Sequence, residues 1–140
     1  MIDLLTHSLT YRIARSALLF FSQTQNDECE DAIDIVPSLS GTTVTGSTID
    51  ATFDGVSTCG DLDDRNTGPG VWYRFCSGKG GEFNLITDYD RYSPVTKISV
   101  YTRSCADLVC VDGYQDGVSS TTGLKITTEP DTKYFVLIHS

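Results

Sequence analysis

Gly70-Val-Trp-Tyr-Arg-Phe75 alternates apolar and polar side chains around the chain's single tryptophan, the signature of a β-strand with one face turned to a core. On either side of it the chain keeps the same texture. Short runs rich in β-branched and aromatic residues are separated by Gly, Asp, Ser, Asn and Pro. The runs that read as strands are Ala32–Val36, Thr42–Ser47, Thr48–Phe53, Val71–Phe75, Glu82–Thr87, Thr96–Thr102, Leu108–Val111, Leu124–Thr128 and Lys133–His139. Ile98 and Val100 alternate with Ser99 and Tyr101, and Thr48–Phe53 alternates less cleanly. Tyr134-Phe-Val-Leu-Ile138 is apolar on both faces, as in a strand central in its sheet or covered on both sides. Ser77-Gly-Lys-Gly-Gly81 reads as the loop of a hairpin between Arg74–Phe75 and Phe83–Ile86. No helical period beyond Asn26 exceeds about two turns. The expectation is one all-β domain over residues 26–140, an antiparallel two-layer β-sandwich with Trp72 and Phe75 close to its core.

The N-terminus has a different character. Arg12 and Arg15, the apolar run Ala17–Phe21 and the polar Ser22–Gln25 follow the order of a signal peptide. The apolar run is shorter than the roughly 7–15 residues such a region needs, and far shorter than the roughly 20 that cross a bilayer. A degenerate signal, a short amphipathic helix and a misplaced start all fit, and the last fits best. Residues 1–25 are therefore set aside from the fold.

The formal net charge of −9 argues against nucleic acid as a partner, since no basic stripe is available to displace phosphate counterions. It argues equally against docking on anionic lipid or inserting into a membrane. Five cysteines in 140 residues point to an oxidising, extracellular or cell-surface setting. No Cys-x-x-Cys occurs and His7 and His139 are far apart, which argues against zinc. Two disulfides and one leftover thiol are the simplest arrangement. Cys76, at the end of the Trp72 strand, reads equally as a buried small hydrophobe or as a thiol paired outside this chain.

Asn26-Asp-Glu-Cys-Glu-Asp-Ala32, Cys59-Gly60, the Trp72 strand, Lys97-Ile-Ser-Val-Tyr-Thr-Arg-Ser-Cys105 and Leu108-Val-Cys-Val111 together resemble a repeat of secreted microbial proteins. That repeat is similar to the bacterial pre-peptidase C-terminal domains, jelly-roll-like sandwiches that accompany secreted proteases and adhesins without doing chemistry. The resemblance, with the loop positions, implies the pairs Cys29–Cys59 and Cys105–Cys110. It implies a further strand after Lys133–His139, so the chain reads as a fragment with an open sheet edge. It also implies calcium, held by Asn26, Asp27, Asp61, Asp63 and Asp64, because clustered carboxylates repel one another without a cation. Against calcium, Asp61–Asn66 lacks the glycine and spacing of an EF-hand, and Val71 stands where relatives often carry Asp; a solvated acidic loop is the plainer reading. Asp112 and Asp116 form a second, weaker acidic loop.

Catalytic motifs are absent from the sequence: there is no G-x-S-x-G, H-E-x-x-H, P-loop or G-x-G-x-x-G. His139 sits in an apolar strand, where packing outweighs general-base work, and Asp61 with Asp63 lacks the chain length for a glycosidase cleft. The expected function is a non-catalytic extracellular binding or adhesion module, one unit of a larger secreted protein, contacting polysaccharide or extracellular protein. Tyr89, Tyr92 and Tyr114, expected in loops, would be its contact residues. The alternative is an accessory or processing domain of a secreted peptidase.

Overall fold

The structure, a computed structural model, describes residues 2–6, 24–57, 59–60, 68–88, 96–115 and 121–139. Their strands are β1 (Ile2–Thr6), β2 (Ile33–Asp34), β3 (Gly70–Cys76), β4 (Gly81–Asp88), β5 (Lys97–Ser104), β6 (Asp107–Gln115), β7 (Thr121–Thr128) and β8 (Lys133–His139). A single 3-10 turn, Cys29–Asp31, precedes β2. One sheet runs β2-β3-β8-β5-β6 and the other β1-β4-β7. The pairs β3–β8, β8–β5, β5–β6 and β4–β7 are antiparallel, while the flanking β1 and β2 join β4 and β3 in parallel. The fold is all-β and sandwich-like, as the alternating runs predict.

Alternation along the strands divides the interior into two layers. Val71, Tyr73 and Phe75 of β3, Ile98 and Val100 of β5 and Tyr134, Val136 and Ile138 of β8 face the other sheet, where Leu85, Leu124 and Ile126 meet them. Phe75 stacks between Phe83 and Tyr134 at ring separations of 5.1 and 5.4 Å. The opposite face of the five-stranded sheet is also buried. Trp72, Tyr101, Phe135 and Leu137 lie beneath Cys29, Ala32 and Cys59, with Val56 packed against them. Trp72 and Phe75 are thus both interior, on opposite faces of one strand.

Several expectations change. Ser77–Gly81 does not close a hairpin: β3 pairs with β8 and β4 with β7, so the turn carries the chain from one sheet to the other. It packs on the turn before β8, with the Ser77 N–H donating to Thr132 O at 3.0 Å and the Asp131 N–H to Gly78 O at 2.7 Å. Thr42–Ser47 and Thr48–Phe53 are not strands. Ser and Thr side chains in and beside these runs satisfy the nearby backbone instead, with Ser38 Oγ donating to Gly41 O, Thr42 Oγ1 to Val36 O and the Ile49 N–H to Ser47 Oγ. Lys133–His139 has no open edge, because β3 and β5 pair along both of its sides. Part of the N-terminal segment set aside by sequence also pairs: Ile2–Thr6 lies beside β4, with a register shift between Asp3 and Thr6.

Candidate functional site

The outer face of the five-stranded sheet is apolar, and Cys29 and Ala32 cover it together with a strap, residues 52–57 and 59–60, that forms no helix and no strand beyond a bridge at Ser57. The strap starts at a clasp. Asn26 O accepts the Trp72 N–H at 2.8 Å and Asn26 Nδ2 donates to Trp72 O at 2.8 Å, so the side chain stands in for a neighbouring strand on the edge of β3. Asp27, 1 % exposed, accepts the Thr52 N–H and hydroxyl at 2.6 and 2.8 Å. From there Asp54, Ser57 and Cys59 reach β3, β5 and β6 in turn. Asp54 Oδ1 accepts the Trp72 indole N–H on β3 at 2.6 Å. Ser57 O accepts the Tyr101 hydroxyl on β5 at 2.8 Å. Cys59 is disulfide-bonded to Cys110 on β6.

Its far end depends on two glycines. A Cβ on Gly113 would lie 1.7 Å from Cys59 O, and one on Gly60, whose φ is +81°, would lie 2.2 Å from Gly113 N. Cys110 and Gly113 are three residues apart and would face opposite ways in a regular strand. The register shift at Val100/Tyr101 leaves Val111 as an extra residue on β6, so both turn to the strap.

The disulfides differ in pairing from the expectation. Cys29 is bonded to Cys105 and Cys59 to Cys110, while Cys76 is free and exposed. Cys105 occupies the two-residue tip of the β5–β6 hairpin, and Cys110 sits opposite Tyr101, three residues beyond the first pair at Asp107. That separation of roughly 10 Å exceeds the reach of a disulfide. Both bonds instead tie the covering layer to the hairpin, and two disulfides are compatible with an extracellular protein. Cys76 is neither buried nor a core hydrophobe.

Between strap and hairpin lies a groove of about 410 Å³ lined by Gly55, Val56 and Ser57 on one side and by Tyr101, Leu108 and the hairpin tip on the other. Burial pushes the Tyr101 hydroxyl up to about 12, with the Asp54 charge adding to the shift, so it stays a donor. Val109 and Tyr114 of β6 are partly exposed nearby in sequence, Tyr114 at 41 %. Tyr114 is a strand residue and not a loop residue.

Of the calcium set, the structure brings Asn26 and Asp27 together, with their polar groups turned to Trp72 and Thr52. Asp61, Asp63 and Asp64 lie outside the described residues, as do Tyr89, Tyr92 and Asp116. Asp112 is part of β6 and accepts the Gly113 N–H at 2.8 Å. Among the described residues no cluster of three or more His, Cys, Asp or Glu forms a metal site. Ser99 Oγ and His139 Nε2 lie 2.9 Å apart, a nucleophile-and-base spacing, but the two side chains are 0 % and 1 % exposed and hold β5 to β8. Sequence reading missed Thr52, Asp54, Ser57 and Gly113. A buried indole needs an acceptor, which was a signal that some partner for Trp72 exists, though not which. No described helix is long and apolar enough to cross a membrane. No family model, curated protein or solved structure matches the chain.

Proposed function

We propose that the chain is a non-catalytic extracellular binding or adhesion module, one unit of a larger secreted protein, that takes polysaccharide or extracellular protein in the groove between strap and hairpin. The observation that carries this reading is that both disulfides end on that hairpin and one of them also anchors the strap. A concave site with cross-linked walls loses little freedom on binding, which favours affinity from a small contact area. Leu108 and Val56 supply apolar surface and Gly55 brings backbone to the groove, while Tyr114, opposite Ile98, belongs to the other face of β6.

The full chain should be screened on a glycan array and a panel of extracellular matrix proteins. Reproducible binding that falls at least about tenfold in Leu108→Asp or Val56→Asp supports the proposal. Binding of nothing on either panel, or binding indifferent to both substitutions, overturns it. The alternative, an accessory or processing domain of a secreted peptidase, is favoured by the resemblance of Asn26–Ala32 and Lys97–Cys105 to pre-peptidase C-terminal domains, and fits the second outcome. Calcium belongs to the same proposal: excess EDTA should then lower the melting temperature, since a ligand held only by the folded state stabilises it by mass action. An unchanged melt would leave Asn26 and Asp27 with their clasp role alone.

A further inference from the structure

The strap meets β3 through a carboxylate that the fold leaves half-satisfied. Asp54 Oδ1 accepts the Trp72 indole N–H, while Asp54 Oδ2 is buried with no hydrogen-bond partner among the described residues. An ionised oxygen in that position raises the free energy of the charged form. The N-terminal clasp brings two more carboxylates to bear, and both Glu28 and Asp27 oppose the charge on Asp54. Asp27 is held in place by the N–H and hydroxyl of Thr52. From β3 the group faces Trp72, and from β5 Tyr101, whose hydroxyl is taken by Ser57 O. Among the described residues, none of these neighbours is a cation.

We propose that Asp54 is a proton-operated latch: as the medium turns mildly acidic it takes up a proton, loses the charge trapped beneath the strap, and tightens the strap onto the sheet. Burial is the largest cause of a carboxyl pushed up to about 6, with Glu28 and Asp27 adding to it and the Trp72 hydrogen bond opposing it. The folded value lies above the ordinary 3.8, so the folded chain binds this proton more tightly than the unfolded chain. The stabilisation is therefore full below 3.8 and is lost as pH rises to about 6. This is opposite in sign to the usual surface carboxylate, such as Asp34, which the Arg74 hydrogen bond holds below its ordinary value.

The chain's one tryptophan is the reporter, because it is the residue the latch holds. Trp72 emission of the full chain should change with a midpoint close to 6, and the change should vanish in Asp54→Asn. The melting temperature of Asp54→Asn minus that of the native chain should rise by a few degrees between about pH 4 and about pH 7. If Asp54→Asn fails to fold, Glu28→Gln serves instead: it removes an exposed opposing charge and should move the emission midpoint to lower pH. Emission of the native chain that is flat over this range overturns the latch. So does a midpoint that persists in Asp54→Asn or is unmoved in Glu28→Gln.

Discussion

At the residue scale, two glycines of the same sheet protein face opposite fates on gaining a methyl group. Gly113 has the Cys59 carbonyl where its Cβ would be, and that contact is backbone on both sides, so neither partner can rotate away. Gly113→Ala should cost at least about 3 kcal/mol in urea denaturation, with Cys59 and Cys110 recovered partly as free thiols. Gly123, opposite Ile86 on β4, has nothing within 4 Å of an added Cβ. Gly123→Ala should be neutral or stabilise by up to about 1 kcal/mol, because it restricts the unfolded chain without a clash. Equal destabilisation by the two would mean that the strap does not approach β6 as closely as described. Asp27 gives a third test of the same layer. Asp27→Ala leaves the Thr52 N–H and hydroxyl without their acceptor, and a loss of about 2 kcal/mol is expected.

At the element scale, the β5–β6 hairpin is the anchor for everything outside the second sheet. The Cys29–Cys105 bond spans 76 residues and the Cys59–Cys110 bond 51. Loop-closure entropy assigns each about 4 kcal/mol when considered alone. The two loops overlap, so the first bond already shortens the loop the second must close, and removing both should cost less than the sum. Non-reducing peptide mapping should recover Cys29 with Cys105 and Cys59 with Cys110, and Cys76 alone should react with a thiol reagent in the folded chain. Recovery of Cys105 with Cys110 would contradict the hairpin register. The short β2 is held differently, by backbone pairing to β3 and by an exposed bidentate contact of Arg74 with Asp34 at 2.7 and 3.0 Å. An exposed pair of this kind contributes no more than about 1 kcal/mol, so Arg74→Ala should leave the fold intact.

At the scale of the whole molecule, one sheet is buried on both sides but by unlike means. Its inner face is covered by strands whose own hydrogen bonds hold them, its outer face by a strap held by side chains and disulfides. Reduction should therefore release the outer layer first. With dithiothreitol we expect Trp72 emission to shift to the red and a hydrophobic dye to bind, as Trp72, Phe135 and Leu137 meet water, followed by self-association in size-exclusion chromatography. Emission that stays unchanged after full reduction would show that hydrogen bonds alone retain the strap.

The strand content of this chain was legible from its residues because a strand's apolar period and its flanking turn formers are local properties. Val71–Phe75, within β3, and Lys133–His139 were readable in that way, and so were the interior placement of Trp72 and Phe75 and the oddness of one cysteine in five. What each strand pairs with was not. Period two tells which side of a strand is apolar, but any neighbour of similar length satisfies it, so the exchange of a β3–β4 hairpin for β3–β8 and β4–β7 pairs left no local trace. The same holds for the disulfides, whose partners are chosen by Cα separations that exist only after the hairpin register is set. The strap lies furthest from sequence. Thr52 reads as part of a strand and Asp54 and Ser57 as loop residues, and their role arises because the tertiary fold leaves one apolar sheet face, with one buried indole, that this segment lies across together with Cys29 and Ala32.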